Sequence, residues 1–286
     1  MRWADAGILY RAVWLRWNLK LAVLLTLCDT IVAIPPKPIV AILWNITMSR
    51  NISLLALALV VALNFETTAQ EKQTADVPAA RKKRNINSRF LDPKLDVDEW
   101  IGKFEIESRE TYAARERVLA ACQLKPGMKV ADIGAGTGFY CRLFSSAVGK
   151  DGWVYAVDIS PRFLEHINKK SEEEDIENIT SILGTEKSTR LPKESVDLIF
   201  TCDTYHHFSH PASTLASIHA ALKPGGTLVL IDFERIPGES RRFILGHVRA
   251  GKKVFRQEVL DAGFELIEEV DIPSFKENYL LRFRKK

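Results

Sequence analysis

Apolar and polar positions divide the chain into two unlike parts. Residues 1–65 carry long apolar runs, and the run over residues 52–63 is broken only by Ser53. A polar stretch without periodic apolar positions follows, and beyond it apolar residues recur at helix and strand spacing. The pattern predicts a hydrophobic N-terminal extension over residues 1–69, a polar linker over 70–94 and a folded domain over 95–286.

Within the domain, strand-like runs alternate with helical patterns. The predicted strands are 129–133, 153–159, 179–184, 196–202, 227–233, 264–272 and 278–284. The predicted helices are 107–123, 138–148, 161–174, 211–222 and 253–262. The alternation predicts a doubly wound α/β fold, with a parallel sheet and helices on both faces. The last two strands leave almost no room for a crossover helix, so we expect them to form an antiparallel hairpin.

Residues 48–69 resemble a secretory signal. Met48 precedes a short basic stretch, the apolar run has the length of a signal-peptide core, and Thr67-x-Ala69 resembles a cleavage site. The hypothesis is that translation starts at Met48 and that the domain is exported. The alternatives are an uncleaved anchor, with membrane association through this segment, or a loosely structured extension on a cytoplasmic protein.

Composition narrows the classes of partner. The net charge is +4, from 40 basic and 36 acidic residues among 286. The one dense basic cluster, residues 81–84, lies in the linker, so we expect no nucleic-acid partner. The four cysteines, at positions 28, 122, 141 and 202, form no CxxC pair. Neither a disulfide framework nor a zinc site is therefore expected from them.

A glycine-rich loop follows the first strand of the domain, in the spacing Asp132-x-Gly134-x-Gly136-x-Gly138. Glycines let a backbone turn sharply and approach a ligand closely. Asp158 ends the second strand, where a carboxylate can accept the hydroxyls of a ribose. Ser160 occupies the cap position of the next helix, so Asp158 is not needed as that cap. Together these features predict a site for a nucleoside cofactor.

The loop does not match the dinucleotide fingerprint. The third glycine of G-x-G-x-x-G would stand at Phe139, whereas here it is Gly138. Asp132 would also repel a pyrophosphate, while a cationic ligand that carries an amino acid would tolerate this carboxylate. The glycine spacing and Asp132 therefore favour a cationic cofactor that carries an amino acid over a dinucleotide.

Four segments in order, "VADIGAGTG", "VYAVDIS", "SVDLIFTCDTYHHF" and "LKPGGTLVLIDFER", resemble the class I S-adenosylmethionine-dependent methyltransferases. The nearest likeness is the small-molecule branch that includes quinone-type enzymes. The resemblance implies a Rossmann-like sheet of seven strands in the order 3-2-1-4-5-7-6 and S-adenosyl-L-methionine as cofactor. The cofactor-binding residues that it implies are Asp132, Gly134, Ala135, Gly136, Gly138, Asp158, Ile159, Glu186 and Asp203.

The loop after the fourth strand carries the candidate catalytic residues His206, His207 and Tyr205. Histidine titrates near neutral pH and suits proton transfer. A metal site built from the loop histidines, including His210, is disfavoured, because adjacent histidines seldom converge on one ion. A second polar group, residues 247–252, could contact an acidic or phenolic substrate, but a solvated helix face is the favoured interpretation.

The leading hypothesis is methyl transfer to a small molecule, including lipid-like or quinone-like acceptors. A non-catalytic nucleoside-binding or partner-binding module on the same fold is the alternative. A nicotinamide-dependent oxidoreductase is a weaker alternative, because no hydride-transfer constellation is recognisable. Export would separate the domain from a cofactor made in the cytoplasm, so the localisation stays open.

Overall fold

The computed structural model describes residues 85–286. The predicted extension over residues 1–69, the start at Met48 and most of the predicted linker lie outside the described residues. Within residues 85–286, no helix combines the length and the apolar character needed to cross a membrane.

Seven strands form one sheet. They are β1 (Lys129–Ile133), β2 (Trp153–Asp158), β3 (Ile179–Leu183), β4 (Val196–Cys202), β5 (Leu222–Phe233), β6 (Phe264–Val270) and β7 (Asn278–Lys285). Their order is β3-β2-β1-β4-β5-β7-β6. The first five strands are parallel, and β7 pairs antiparallel with both β5 and β6. The predicted fold class and strand order are confirmed.

Helices flank the sheet and precede it. They are α1 (Val97–Phe104), α2 (Glu110–Ala113), α3 (Arg115–Cys122), α4 (Phe139–Val148), α5 (Pro161–Glu173), α6 (Pro211–Ala221), α7 (Arg242–His247) and α8 (Lys252–Asp261). One short 3₁₀ turn, Tyr205–His207, follows β4.

Alternation along the central strands sets which side of the sheet each residue covers. In β4, Ile199 belongs to one buried apolar cluster, and its neighbour Phe200 belongs to the other. In β5, Leu230 and Val229 divide in the same way. Successive side chains in a strand point to opposite faces, so these strands need apolar residues at nearly every position. This explains why they appear in the sequence as continuous apolar runs.

Four elements differ from the sequence prediction, and one of them is α7 (Arg242–His247), which no predicted helix covers. The helix predicted over residues 107–123 is divided into α2 and α3 at Ala114, whose φ and ψ are −92° and 14°. The helix α1 was not predicted; the Asp96 side chain caps its N-terminus by accepting hydrogen bonds from two backbone N–H groups. Strand β5 begins at Leu222, earlier than predicted, because Leu222 pairs with Val196 across a register shift in β4.

Candidate active site

A cavity of about 1100 Å³ opens where the parallel strands end. Its wall includes the loops that follow β1, β2, β3, β4 and β5, together with residues of α1, α2 and the segment before them. Ligands of open α/β sheets bind at this edge, where the strand order reverses. The cavity therefore lies where the glycine loop and Asp158 predicted a cofactor site.

The loop after β1 is packed so closely that side chains are excluded. Gly134 and Gly138 have φ of +78° and +74°, a conformation that L side chains rarely adopt. A Cβ on Gly134 would lie 2.3 Å from Thr204 Cγ2, and one on Gly138 would lie 2.7 Å from Ile167 Cγ1. The glycines thus bring the loop against the turn after β4 and against α5.

Asp158 connects the glycine loop to the start of α5. Its Oδ2 accepts a hydrogen bond from the Gly136 N–H at 2.9 Å, and its Oδ1 accepts one from the Ser160 N–H at 2.8 Å. Burial raises the pKa of Asp158, and these backbone donors oppose the rise. Ser160 is the cap residue, as predicted, but its hydroxyl makes no hydrogen bond within the described residues. Asp158 therefore orders the helix start as well as lining the cavity.

Asp132 lies at the end of β1 and is 3% exposed. The Cys141 thiol donates to its Oδ2 at 3.4 Å. Burial raises the pKa of Asp132 to about 7. Ala135 and Ile159 line the same part of the cavity, so the residues predicted from the first two strands lie together.

Glu186 holds the segment that precedes α1. Its Oε1 accepts hydrogen bonds from the side chains of Asn85, Asn87 and Ser209, at 3.0, 3.1 and 3.2 Å. The hydrogen bond from Asn85, followed by that from Asn87, lowers the pKa of Glu186. Asn87 lies in the predicted linker, where no pattern in the sequence marks its place in the cavity wall.

Asp203 also has protein partners. Its Oδ2 accepts from Arg109 at 2.8 Å and its Oδ1 accepts from Asn278 at 2.7 Å. Burial raises the pKa of Asp203, and the Arg109 charge opposes that rise. Asp203 thus joins the loop after β4 to the helical segment before the sheet and to β7.

His206 forms a buried pair with Asp232, the carboxylate near the end of β5. The His206 backbone N–H donates to Asp232 Oδ2 at 3.0 Å, and ring Nδ1 lies 2.8 Å from Asp232 Oδ1. A carboxylate accepts, so Nδ1 carries the proton and Nε2 has a free lone pair. Asp232 is not among the predicted site residues, although an acid near the end of an apolar strand was a usable signal.

His207 and His247 meet beside this pair. His207 Nδ1 lies 3.1 Å from Asn87 Oδ1, and its Nε2 lies 3.3 Å from His247 Nε2. Burial, then repulsion from the other two histidines, lowers the pKa of His207 to about 2. The solvated helix face favoured for His247 is wrong, because its ring lines the cavity. His210 is exposed and lies outside the cavity wall, as far as the described residues define it.

Tyr205 is separated from the two histidines that follow it. Its side chain is fully buried, and its hydroxyl donates to Glu258 Oε2 at 2.7 Å. Its ring packs against Phe255, with 4.9 Å between the centroids. Among the residues described, Tyr205 is not part of the cavity wall. The short turn after β4 points it into the core, so the structure does not bring this predicted catalytic residue to the site.

Aromatic side chains form one wall of the cavity. Trp100 lies 4.8 Å from Phe90 and 5.1 Å from Phe104 between ring centroids. Phe163 of α5 lies within 6.5 Å of Trp100, measured in the same way. Phe90 falls in the predicted linker, where no periodic pattern marked it. This wall suits a flat, apolar ligand.

Comparisons with known proteins agree with this arrangement. A family described as "Methyltransferase domain" matches residues 131–230. A curated relative from Bordetella parapertussis, "Ubiquinone/menaquinone biosynthesis C-methyltransferase UbiE", is 29% identical over 113 residues, which is 40% of this chain and 43% of that protein. The Neisseria meningitidis protein of the same name is 26% identical over 172 residues, covering 51% of this chain and 70% of that protein.

A solved structure, described as a SAM-dependent methyltransferase from Aquifex aeolicus, matches with a TM-score of 0.58 and 27% identity. The match covers 68% of this chain and all of that one (100%). The chain spans less than half the length of the first curated relatives that it matches.

Proposed function

Because this chain belongs to the class I S-adenosylmethionine-dependent methyltransferases, a family of enzymes whose cofactor is S-adenosylmethionine, we propose that it methylates a small aromatic hydroxyl compound of the quinol type. The acceptor binds between the aromatic wall and the histidines at the carboxyl edge of the sheet. The observation that carries the proposal is His206, which is hydrogen-bonded to the buried Asp232 and lines the same cavity as the glycine loop.

The cavity residues fit the cofactor. Gly134 and Gly136 line the cavity and present backbone without a side chain to it, whereas Gly138 packs on Ile167 and is not among the described lining residues. Asp158 uses one lone pair on each oxygen for backbone donors, so acceptor capacity remains for a ribose diol. When bound, S-adenosylmethionine supplies an electrophilic methyl group on a sulfonium centre. The positive charge of the ligand would oppose the burial that raises the pKa of Asp132, so its carboxylate is charged when the cofactor is bound.

The other predicted cofactor residues divide into two groups under this proposal. Ala135, Gly136 and Ile159 form the surface against which the nucleoside packs. Glu186 and Asp203 act as positioning residues, because their oxygens already accept hydrogen bonds from the segment before the sheet. They hold the cavity wall in place.

At the end of the cavity where the acceptor binds, His206 can take a proton from the acceptor. Asp232 fixes His206 with Nδ1 protonated, so the lone pair on Nε2 is available to an acceptor hydroxyl. Loss of that proton makes both the oxygen and the neighbouring ring carbons of a phenol more nucleophilic. The curated relatives are named as C-methyltransferases of ubiquinone and menaquinone biosynthesis, which supports an acceptor of this class.

The test is methyl transfer from isotopically labelled S-adenosylmethionine to a panel of quinols and phenols, using the 286-residue chain. Replacing His206 by Ala should lower kcat by about 10²–10⁴-fold while leaving the affinity for S-adenosylhomocysteine within about twofold. His210→Ala is the matched control, because His210 lies on the same loop and is exposed. Equal kcat for the wild type and the His206 variant would contradict the proposal.

A further inference from the structure

Three imidazoles converge on one point of the cavity wall. His206 and His207 come from the turn after β4, and His247 comes from the end of α7. One ring nitrogen of each lies within 4.8 Å of the other two. All three side chains line the cavity, so a group held by them would be accessible from it.

Two of the rings are fixed in the orientation that a metal ligand requires. Asp232 accepts from Nδ1 of His206, and the side-chain carbonyl of Asn87 accepts from Nδ1 of His207. Both rings therefore present an unprotonated Nε2. Ligating histidines in metalloproteins characteristically donate their other ring N–H to a carboxylate or a carbonyl in this way.

The spacing also agrees with coordination. Nitrogen ligands about 2.0–2.1 Å from a tetrahedral zinc ion lie about 3.4 Å from one another. The Nε2 atoms of His207 and His247 are 3.3 Å apart. A hydrogen bond between these two rings would explain that one distance, but it leaves the lone pair of His206 without a role in the cluster.

We propose that His206, His207 and His247 bind one divalent transition-metal ion of zinc-like ligand preference, with a fourth coordination position open to the cavity. Three histidines and an open position are the arrangement of catalytic zinc sites. The expectation that disfavoured a metal concerned only the adjacent histidines of one loop. In the structure the third histidine of the cluster is His247, which lies 40 positions beyond His207 in the sequence, and His210 is not part of the cluster.

The open position deepens the proposed function and rests on it, with one step changed: an ion bound to His206 Nε2 occupies the lone pair that otherwise takes the proton of the acceptor. A hydroxyl oxygen of the acceptor bound there would release its proton to water at a lower pH than the free phenol, because the cation stabilises the oxyanion. The oxygen keeps its electron pair and nothing is oxidised or reduced. The metal would thereby activate the acceptor, with the histidines serving as ligands.

Metal binding is tested on the 286-residue chain without a histidine tag, after removal of metals with a chelator and of the chelator by dialysis. Titration with Zn²⁺ by calorimetry and with Co²⁺ by visible absorption should each give one site per chain, with the absorption of tetrahedral Co²⁺. His247→Ala should weaken Zn²⁺ binding by at least tenfold, and Asn87→Leu by about 10–100-fold. His210→Ala should bind as the wild type does.

The proposal is overturned by the lack of a one-to-one site in the wild type, or by equal affinity in the wild type and His247→Ala. His247 is half-exposed, so its replacement should leave the fold intact, which circular dichroism checks. S-adenosylhomocysteine affinity, measured on the same samples, should be the same with and without Zn²⁺. Loss of Zn²⁺ binding with retained S-adenosylhomocysteine binding separates failure of this inference from failure of the proposed function.

Discussion

Gly138 shows how one residue shapes the cofactor loop. It combines a positive φ with close contact to Ile167, so Gly138→Ala adds both backbone strain and a clash. We expect it to lower the free energy of unfolding by about 2–5 kcal/mol. Gly225 is the matched control: its φ is +75°, and among the described residues nothing lies within 4 Å of an added Cβ. Gly225→Ala should cost about 1–2 kcal/mol. Urea denaturation measures both, and equal losses would contradict the packing argument.

Tyr205 is expected to stabilise the fold and to take no part in chemistry. Tyr205→Phe removes the hydrogen bond to Glu258, whose carboxylate keeps its ion pair with Arg249. The variant should lose about 1 kcal/mol of stability, while kcat stays within about twofold of the wild type. A tenfold fall in kcat with an unchanged fold would contradict this prediction and show that Tyr205 takes part in the reaction.

Asp132 should make stability depend on pH. Burial raises its pKa from 3.8 to about 7 in the folded chain, whereas the unfolded chain keeps the ordinary value. Between these values the unfolded state is ionised and the folded state is protonated. The contribution of Asp132 is therefore complete below pH 4 and is lost as the pH rises to about 7.

Asp132→Asn removes this titration. The free energy of unfolding of the variant, relative to the wild type, should rise between pH 4 and 7 and level off above that range. Chemical denaturation of both proteins at several pH values measures the difference, from which the contributions of other groups cancel. A difference that does not change with pH would show that Asp132 is ionised in the folded protein.

Helix α2 is attached by one carboxylate to the start of β7, at the edge of the sheet where the cavity opens. Glu110 accepts hydrogen bonds from the backbone N–H groups of Lys276, Glu277 and Asn278, at 2.9, 3.0 and 3.2 Å. Glu110→Ala should lower stability by about 1–3 kcal/mol, because it leaves these donors without their partner. It should also speed amide hydrogen exchange at residues 276–278. Glu107→Ala, at a side chain that is 68% exposed, is the control and should change neither.

Most elements could be predicted from the sequence because their patterns are local. Strand β4 has the predicted bounds, and α5 begins at the predicted Pro161. The division between α2 and α3 and the early start of β5 were not predictable, because they follow from backbone geometry and strand pairing. Helix α1 has an Asp96 cap that was a usable signal, but it adjoins a stretch that has the composition of a linker.

At the scale of the whole molecule, strand order determines which loops meet. The order places β4 between β1 and β5, so the glycine loop and His206 face one cavity, with the buried Asp232 in hydrogen-bond contact with His206. This part of the site was predictable once the fold class was known, although Asp232 was not identified. Asn87 and His247 were not, because their contacts with His207 span 120 and 40 positions along the chain. No periodic or local pattern encodes such contacts.

The central claim is that this cavity binds the nucleoside cofactor of a methyltransferase. Calorimetric titration of the 286-residue chain with S-adenosylhomocysteine tests it most directly, with Asp158→Ala as the site variant and Asp151→Ala, at an exposed position before β2, as the control. We predict micromolar binding to the wild type and to the control, weakened at least about 100-fold in Asp158→Ala, with all three proteins folded by circular dichroism. No binding to the folded wild type, or equal binding to Asp158→Ala, would contradict the account.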